Sequence, residues 1–392
     1  MSGKTTIGLP WMGSNLWTFG NVYQNDLIRN IQRECPGKYD FVVMVPASHA
    51  ETLNNKVNGV RYLGYNDYKI GFTTDPVKLL FNGTAYLFGR KMALNAFVKK
   101  QGIDVVFGPF IGGAITAAGT VTWIPDFQHV HFPEMFSNDE RTSRGSTISK
   151  VAATSDSVIL ISESAKEDYC ALYHDYKDKA RVFNPLTYID DAFYDMPVLP
   201  TVAKYNLPDK FMFLPNQFWK HKNHAAVVKA LKVLKDRGEP ITVVCAGSSH
   251  DYRNPSHFSD LMNSVSTDGL RDQFIYIGLI PKNDVLALMR QSVCVINPSM
   301  FEGYGFTVDE ARSIGKTVIL SDLDPHKEQN PPSAHYFRYY EVEELARIMA
   351  KVWNELPAGP DRALESAAKV EYKMRAKMMA KTFGELVEEV AA

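Results

Sequence analysis

The sequence predicts an α/β protein made of two doubly wound parallel sheets in series. Short apolar runs rich in Val, Ile and Phe recur along the chain, as strands buried on both faces of a parallel sheet do. Segments with helical periodicity separate them. A proline-bearing stretch of no clear period, NPLTYIDDAFYDMPVLPTVAKYNLPDK (184–210), divides one such alternation from the next and reads as a linker.

In the first half, KYDFVVMVP (38–46), IDVVFG (103–108), AGTVTWIPD (118–126) and SVILIS (157–162) read as strands. NVYQNDLIRNIQREC (21–35) and YLFGRKMALNAFVKKQG (86–102) read as helices. After the linker the strands are KFMFLPN (210–216), ITVVCAGS (241–248), FIYIGLI (274–280), VCVINPS (293–299) and KTVILSD (316–322). Helices fit 224–238, 281–292, 306–315 and 342–356, and 369–392 is helical by composition. The expected organisation is an N-terminal domain over 1–190, a linker at 191–209, a C-terminal domain over 210–370 and a final helix at 371–392. Open sheets of this kind bind ligands at the carboxyl ends of their strands, so the expected site is the cleft where two such ends face each other.

Composition excludes several function classes. Lys plus Arg is 43 and Asp plus Glu 44, a net charge of −1, which gives no argument for a nucleic-acid partner. Cys35, Cys170, Cys245 and Cys294 are far apart in sequence, without metal-ligand spacing, and point to a reducing, cytoplasmic setting. The first residues show no signal-peptide pattern, and no run of about 18 apolar residues is present. Asn82-Gly83-Thr84 fits a glycosylation acceptor but reads as a turn when nothing signals secretion.

Chemistry concentrates in NPSMFEGYGFTVDEARSIGKTVILSD (297–322). A buried strand ends at Pro298-Ser299, a glycine-aromatic-glycine turn follows, and a helix opens near Phe306. Gly303 and Gly305 let the backbone approach a ligand, and the helix N-terminus suits a phosphate. Glu302 precedes the helix and Glu310 lies about one turn inside it. A carboxylate accepts two hydrogen bonds at once and so holds a vicinal diol such as a ribose. On spacing alone, a turn glutamate and a solvated helix glutamate explain the pair equally well.

Residues 297–328 resemble the nucleotide-sugar motif of the retaining glycosyltransferases of family 4, which have the GT-B fold: two Rossmann-like domains facing a central cleft. The matching pieces are Pro298-Ser299, Glu302, Gly303-Tyr304-Gly305, Glu310, Gly315-Lys316-Thr317-Val318 and Ser321-Asp322. Lys316 and Thr317 depart mildly from the family's small residue and proline. The resemblance implies that Glu302 contacts the donor sugar, that Glu310 contacts the ribose, and that the 303–305 amides face the sugar and diphosphate. LPNQFWKHKNH (214–224) matches the family's basic loop. Lys222 takes the place of its Lys, whereas Gln217 replaces its Arg, so that Lys220 or backbone amides must supply the missing charge; Asn216 belongs to the same loop. The base is expected at the backbone of Gly278-Leu279. His221 and His224 read as helix-start residues.

In the first half the resemblance is weaker. WIPDFQHVHFPEMFS (123–137) resembles a family segment carrying a His-Asp pair; Pro125 replaces the His, Asp126 is kept, and His129 or His131 is in place to take over the polar role. Gly20, more than Gly13, matches the family's first-loop glycine. Asp322-Leu323-Asp324 is read as part of this motif and not as a metal-binding Asp-X-Asp, with His326 and Glu328 within possible reach of the site; no metal or cofactor is expected. The basic-aromatic run 76–100 has two readings, a core helix with a basic face or a membrane-surface helix.

The resemblance implies a metal-independent, retaining enzyme that moves a hexose-type sugar from a nucleotide-diphosphate donor to a glycan or lipid-linked sugar acceptor. The setting would be bacterial surface or exopolysaccharide assembly, with peripheral contact at the inner membrane face. The last helix would cross back to the first domain. A non-catalytic nucleotide-sugar sensor, or a GT-B epimerase or phosphorylase, stays open on the replacements at Gln217 and Pro125.

Overall fold

The computed structural model describes residues 4–12, 18–46, 56–65, 92–109 and 115–391. They form two compact units. The first comprises Met1–Pro133, Ser137–Tyr188 and Arg375–Ala392; the second comprises Glu134–Phe136 and Ile189–Met374.

The first unit is built on β1 (Thr5–Pro10), β2 (Tyr39–Pro46), β3 (Arg61–Tyr65), β4 (Val105–Pro109), β5 (Gly119–Ile124), β6 (Ser157–Leu160) and β7 (Ala180–Val182). Their order is β3-β2-β1-β4-β5-β6-β7, with parallel pairings. The helix Asn138–Thr154 starts at a capping box, in which the Ser137 hydroxyl accepts from the Glu140 amide and the Glu140 carboxylate accepts from the Ser137 amide, satisfying two amides that have no intrahelical partner. Phe383, from the long helix Arg362–Ala391, is fully buried and packs against Tyr39, Phe107 and Phe41 with ring centroids 5.3, 5.3 and 6.3 Å apart.

The second unit contains β8 (Met212–Leu214), β9 (Val243–Cys245), β10 (Phe274–Tyr276), β11 (Val295–Asn297), β12 (Val318–Ser321) and β13 (Ala334–Phe337). The order is β10-β9-β8-β11-β12-β13, again parallel. One core joins Met212, Val243 and Ile296 of the sheet to Val227, Leu231, Leu345 and Met349 of the helices His224–Asp236 and Val342–Glu355. β8 lies between β9 and β11, so the winding reverses there. Such a switch point opens a crevice at the carboxyl ends of the two strands, and the loops that leave β8 and β11 carry the two motifs singled out above.

The irregular segment expected as a linker holds a 3-10 turn at Asp191–Asp195 and a short helix at Leu199–Lys204. It is bound by a buried arginine. Arg290 donates to the carbonyls of Phe193 (3.0 Å), Met196 (2.9 Å) and Tyr194 (2.7 Å) and pairs with Glu365 at 2.7 Å. Carbonyls of this irregular segment are thereby satisfied inside the fold.

Candidate functional site

At the switch point of the second sheet, β8 ends in Pro215-Asn216-Gln217 and β11 in Pro298-Ser299. Lys222 closes a 3-10 turn, Lys220–Lys222, and Asn223 follows in the left-handed region at φ 56°. The Asn223 amide donates to the carbonyls of Pro298 (3.0 Å) and Tyr339 (2.9 Å), and the Met300 amide donates to His221 O at 2.7 Å. These bonds tie the loop after β8 to the loop after β11.

Lys222 and Glu302 meet inside that junction. Lys222 Nζ lies 2.7 and 2.8 Å from the two carboxylate oxygens. Burial alone would raise the Glu302 pKa; the charge of Lys222, His326 and the hydrogen bonds from Lys222 and Ser299 outweigh it and hold the carboxyl at about 2. The pair is largely buried, so removing one partner leaves a poorly compensated charge.

The Gly303-Tyr304-Gly305 turn leads directly into the helix Phe306–Ser313. Gly305 adopts φ +91°, a conformation that favours glycine, and a Cβ there would lie a tight 3.1 Å from His326 Cδ2. Gln329 Nε2 donates to the carbonyls of Tyr304 (2.6 Å) and Gly305 (3.1 Å) and fixes the turn. His326 is fully buried; its Nδ1 sits 2.8 Å from Ser321 O, and burial lowers its pKa despite Glu302 nearby. Its ring is therefore a neutral imidazole beside the turn.

Glu310 lies within the helix, with Lys282 Nζ 3.9 Å from its carboxylate. Lys282 opens the helix that follows Gly278-Leu279. Gly278 has φ +80°, Leu279 is exposed, and the Gly278 carbonyl accepts from the Gly247 amide at 2.9 Å. Gly247, at φ +147°, passes so close to Asn216 that a Cβ would meet its carbonyl oxygen at 2.4 Å.

Asn216 is buried, Gln217 is half-buried, and Lys220 is exposed. The Lys220 amide donates to Asp251 Oδ2 at 3.2 Å. A cation not singled out from the sequence, Arg253, sits against Trp219 with its guanidinium carbon 5.1 Å from the ring centroid, and its Nη2 is 3.5 Å from His221 Nδ1. His224 starts the helix His224–Asp236 and stacks on Phe218 at 4.0 Å; burial lowers its pKa to about 3.

In the first unit, Asp126 follows β5 and accepts from Arg144 Nη2 at 2.8 Å and from the Gln128 amide at 3.0 Å. His129 is buried in the short helix Gln128–His131; burial, then the charge of Arg144, lowers its pKa. His131 Nε2 lies 2.7 Å from Asp168. Gly20 is buried in the helix Thr18–Glu34. Gly13 and residues 76–91 of the basic run lie outside the described residues, and 92–100 are helical. Among the described residues, no three or more His, Cys, Asp or Glu side chains stand together in a way that would hold a metal ion. No described helix is long and apolar enough to cross a membrane.

The sequence reading missed the side chains beneath the site: Asn297, Thr307 and Gln329. The available signal was Asn297 itself, a lone amide ending an otherwise apolar strand.

Residues 201–377 match the family profile of the glycosyl transferases group 1. The chain is 25% identical over 249 residues to the serotype-specific mannosyltransferase WbdA of Escherichia coli, a stretch that covers 59% of this chain and 29% of that protein. The chain therefore spans less than a third of that relative's length. It is 28% identical over 119 residues to the GDP-mannose:cellobiosyl-diphosphopolyprenol alpha-mannosyltransferase of Xanthomonas oryzae pv. oryzae, covering 30% of each chain. Among solved structures, it resembles a glycosyltransferase from Rickettsia africae ESF-5 with a TM-score of 0.70 at 15% identity, covering 100% of this chain and 99% of that one. It also resembles Anabaena Alr3699/HepE in complex with UDP and glucose, with a TM-score of 0.67 at 14% identity, covering 98% and 99%. The chain thus has the GT-B fold, and its residues 201–377 match the group 1 glycosyltransferases.

Proposed function

We propose that the protein is a retaining, family 4-type glycosyltransferase that moves a hexose-type sugar from a nucleotide-diphosphate donor to a glycan or lipid-linked sugar. The observation that carries this reading is the Lys222–Glu302 pair beside the Gly303-Tyr304-Gly305 turn, at the switch point of the second sheet. The first-turn amides of the helix Phe306–Ser313 favour negative charge, and the Lys222 ammonium, shared with Glu302, lies beside the same turn. Together they suit the leaving diphosphate, whose charge grows in the transition state. Glu310, near the loop of Gly278-Leu279, suits the ribose. In this reading the bond from the anomeric carbon to the diphosphate breaks, the acceptor oxygen bonds on the same face, and its proton passes to the departing phosphate. No side chain of the protein is needed as nucleophile.

Two relatives are named for mannosyl transfer and one solved neighbour is described with UDP and glucose. GDP-mannose and UDP-glucose are therefore the first donors to test. Incubation with each, with and without a lipid-linked oligosaccharide, should release nucleoside diphosphate and lengthen the acceptor with retained configuration. Turnover should persist in EDTA. Tight donor binding without any release would instead establish a nucleotide-sugar sensor, and complete loss of turnover in EDTA, restored by magnesium or manganese, would remove the metal-independent mechanism.

A further inference from the structure

We infer that Asn297 is a positioning residue for Glu302, acting through a buried polar chain that joins both site loops. This rests on the donor-site reading above. Asn297 is the last residue of β11 and is fully buried. Its Nδ2 points to Glu302 Oε1 at 3.3 Å. Its Oδ1 accepts from Asn216 Nδ2 at 3.1 Å, and Asn216 Oδ1 accepts from the Thr307 hydroxyl at 2.9 Å. The Ser299 hydroxyl lies 2.6 Å from Asn297 Oδ1 and 2.7 Å from Glu302 Oε1, and its one proton serves one of them at a time. The Ser321 hydroxyl in turn donates to Ser299 O at 2.6 Å.

The chain therefore runs from the first turn of the helix through Asn216, at the end of β8, to Asn297 and the carboxylate. It holds Glu302 from below while Lys222 holds it from the side. Only an amide serves at position 297, because the position must both accept from Asn216 and donate to Glu302. Serine is too short to reach both, and a carboxylate cannot donate when ionised. The titratable groups facing Glu302 are Lys222, His326 and His221. Burial lowers the pKa of both histidines, so at neutral pH Lys222 is the cation, and the Asn297 amide joins the Ser299 hydroxyl as a neutral donor.

Asn297→Ala and Asn297→Asp test this, using the full chain and the donor that the parent turns over. Asn297→Ala should lower kcat about ten- to a hundredfold, the usual loss for a hydrogen bond to a charged group, while nucleoside diphosphate affinity changes by less than about threefold. Asn297→Asp is nearly isosteric and keeps the test alive if the alanine variant does not fold. At low pH its new carboxyl shares one proton with Glu302 and donates as the amide did. As pH rises both ionise and repel. Its activity relative to the parent should therefore recover between about pH 8 and about pH 5.5, and that of Asn297→Ala should not. Equal losses of kcat and nucleotide affinity, or a flat pH ratio for Asn297→Asp, would overturn the inference. If the parent turns over no nucleotide sugar, the functional reading fails first. The inference is then judged by a double-mutant cycle of Asn297→Ala and Glu302→Gln in urea unfolding. Non-additive changes in the unfolding equilibrium support the contact, and additive ones reject it.

Discussion

The two units place polar residues at the carboxyl ends of their strands in opposite ways. In the second, the side chains of Lys222 and Glu302 are only 18% and 9% exposed, and Glu302 is held by a chain of side-chain hydrogen bonds through Asn297, Asn216 and Thr307. In the first, Asp126 and His131 rely on half-exposed partners, Arg144 and Asp168. A preorganised site costs nothing to reorganise when charge develops, which in the reading proposed above suits the stabilisation of a leaving diphosphate. The family profile, which covers 201–377 only, follows the same division.

The largest difference should come from the buried pair. Lys222→Ala leaves Glu302 buried and unpaired, and stability should fall by about 3–5 kcal/mol, with turnover lost at least a hundredfold (about 3 kcal/mol). Urea unfolding and nucleoside diphosphate release measure the two. A loss below about 1 kcal/mol, the range of exposed pairs, would put the second unit's site on a par with the first.

Acid should single out the second unit next. The Glu302 carboxyl is held at about 2, below the usual 4.5, so its contribution is fully present above about pH 4.5 and is lost as pH falls towards 2. The shift corresponds to about 3 kcal/mol. His224, lowered from 6.5 to about 3 by burial, acts in the same direction below about pH 6.5, because the unfolded chain then binds a proton that the fold refuses. Stability of the second unit followed by tryptophan fluorescence should fall across this window. Glu302→Gln should flatten the part below about pH 4.5; an unchanged acid slope in that variant would remove Glu302 from the account.

Two glycines sharpen the contrast. Gly305→Ala places a side chain at φ +91° against His326 and should destabilise by about 1–2 kcal/mol while weakening donor binding. Gly145→Ala, inside the helix Asn138–Thr154 of the first unit, meets nothing within 4 Å and should stabilise by about 0.5–1 kcal/mol. Thermal unfolding of both decides it, and a destabilising Gly145→Ala would show that this helix is less tolerant than its exposure suggests. The smallest effect belongs to Asp126→Asn, which loosens a half-exposed pair with Arg144 and should change stability by less than about 1 kcal/mol. Its effect should appear in acceptor KM rather than in nucleotide affinity.

The second unit was the more legible in sequence. Strands 210–216, 293–299 and 316–322 were expected around observed cores at Met212–Leu214, Val295–Asn297 and Val318–Ser321, because uninterrupted apolar runs mark buried parallel strands. The observed pairings are shorter because the ends of these runs turn into loops that serve the site. β1, β3, β7 and β13 were not foreseen. TTIGLP mixes threonine, glycine and proline, and RYLGY and AHYF lie at sheet edges, half-buried, so neither apolar run nor alternation announces them. Glu302 and Lys222 were singled out by motif, but their mutual contact joins residues 80 positions apart. Arg290 in the same way binds carbonyls nearly a hundred positions upstream. Local pattern carries no information on such pairs.

The placement of Phe383 has a consequence for biosynthesis. Residues 375–392 belong to the first unit, and Phe383 fills the aromatic pocket of Tyr39, Phe41 and Phe107. They leave the ribosome only after the entire second unit has been made. At about 5–20 residues per second, the first unit waits on the order of ten to forty seconds with that pocket unfilled. During that time the nascent chain should leave these aromatic side chains exposed. Ribosome-stalled chains ending near residue 370 should be cleaved rapidly by protease within the first unit, and chains extended past residue 392 by a linker long enough to clear the exit tunnel should resist.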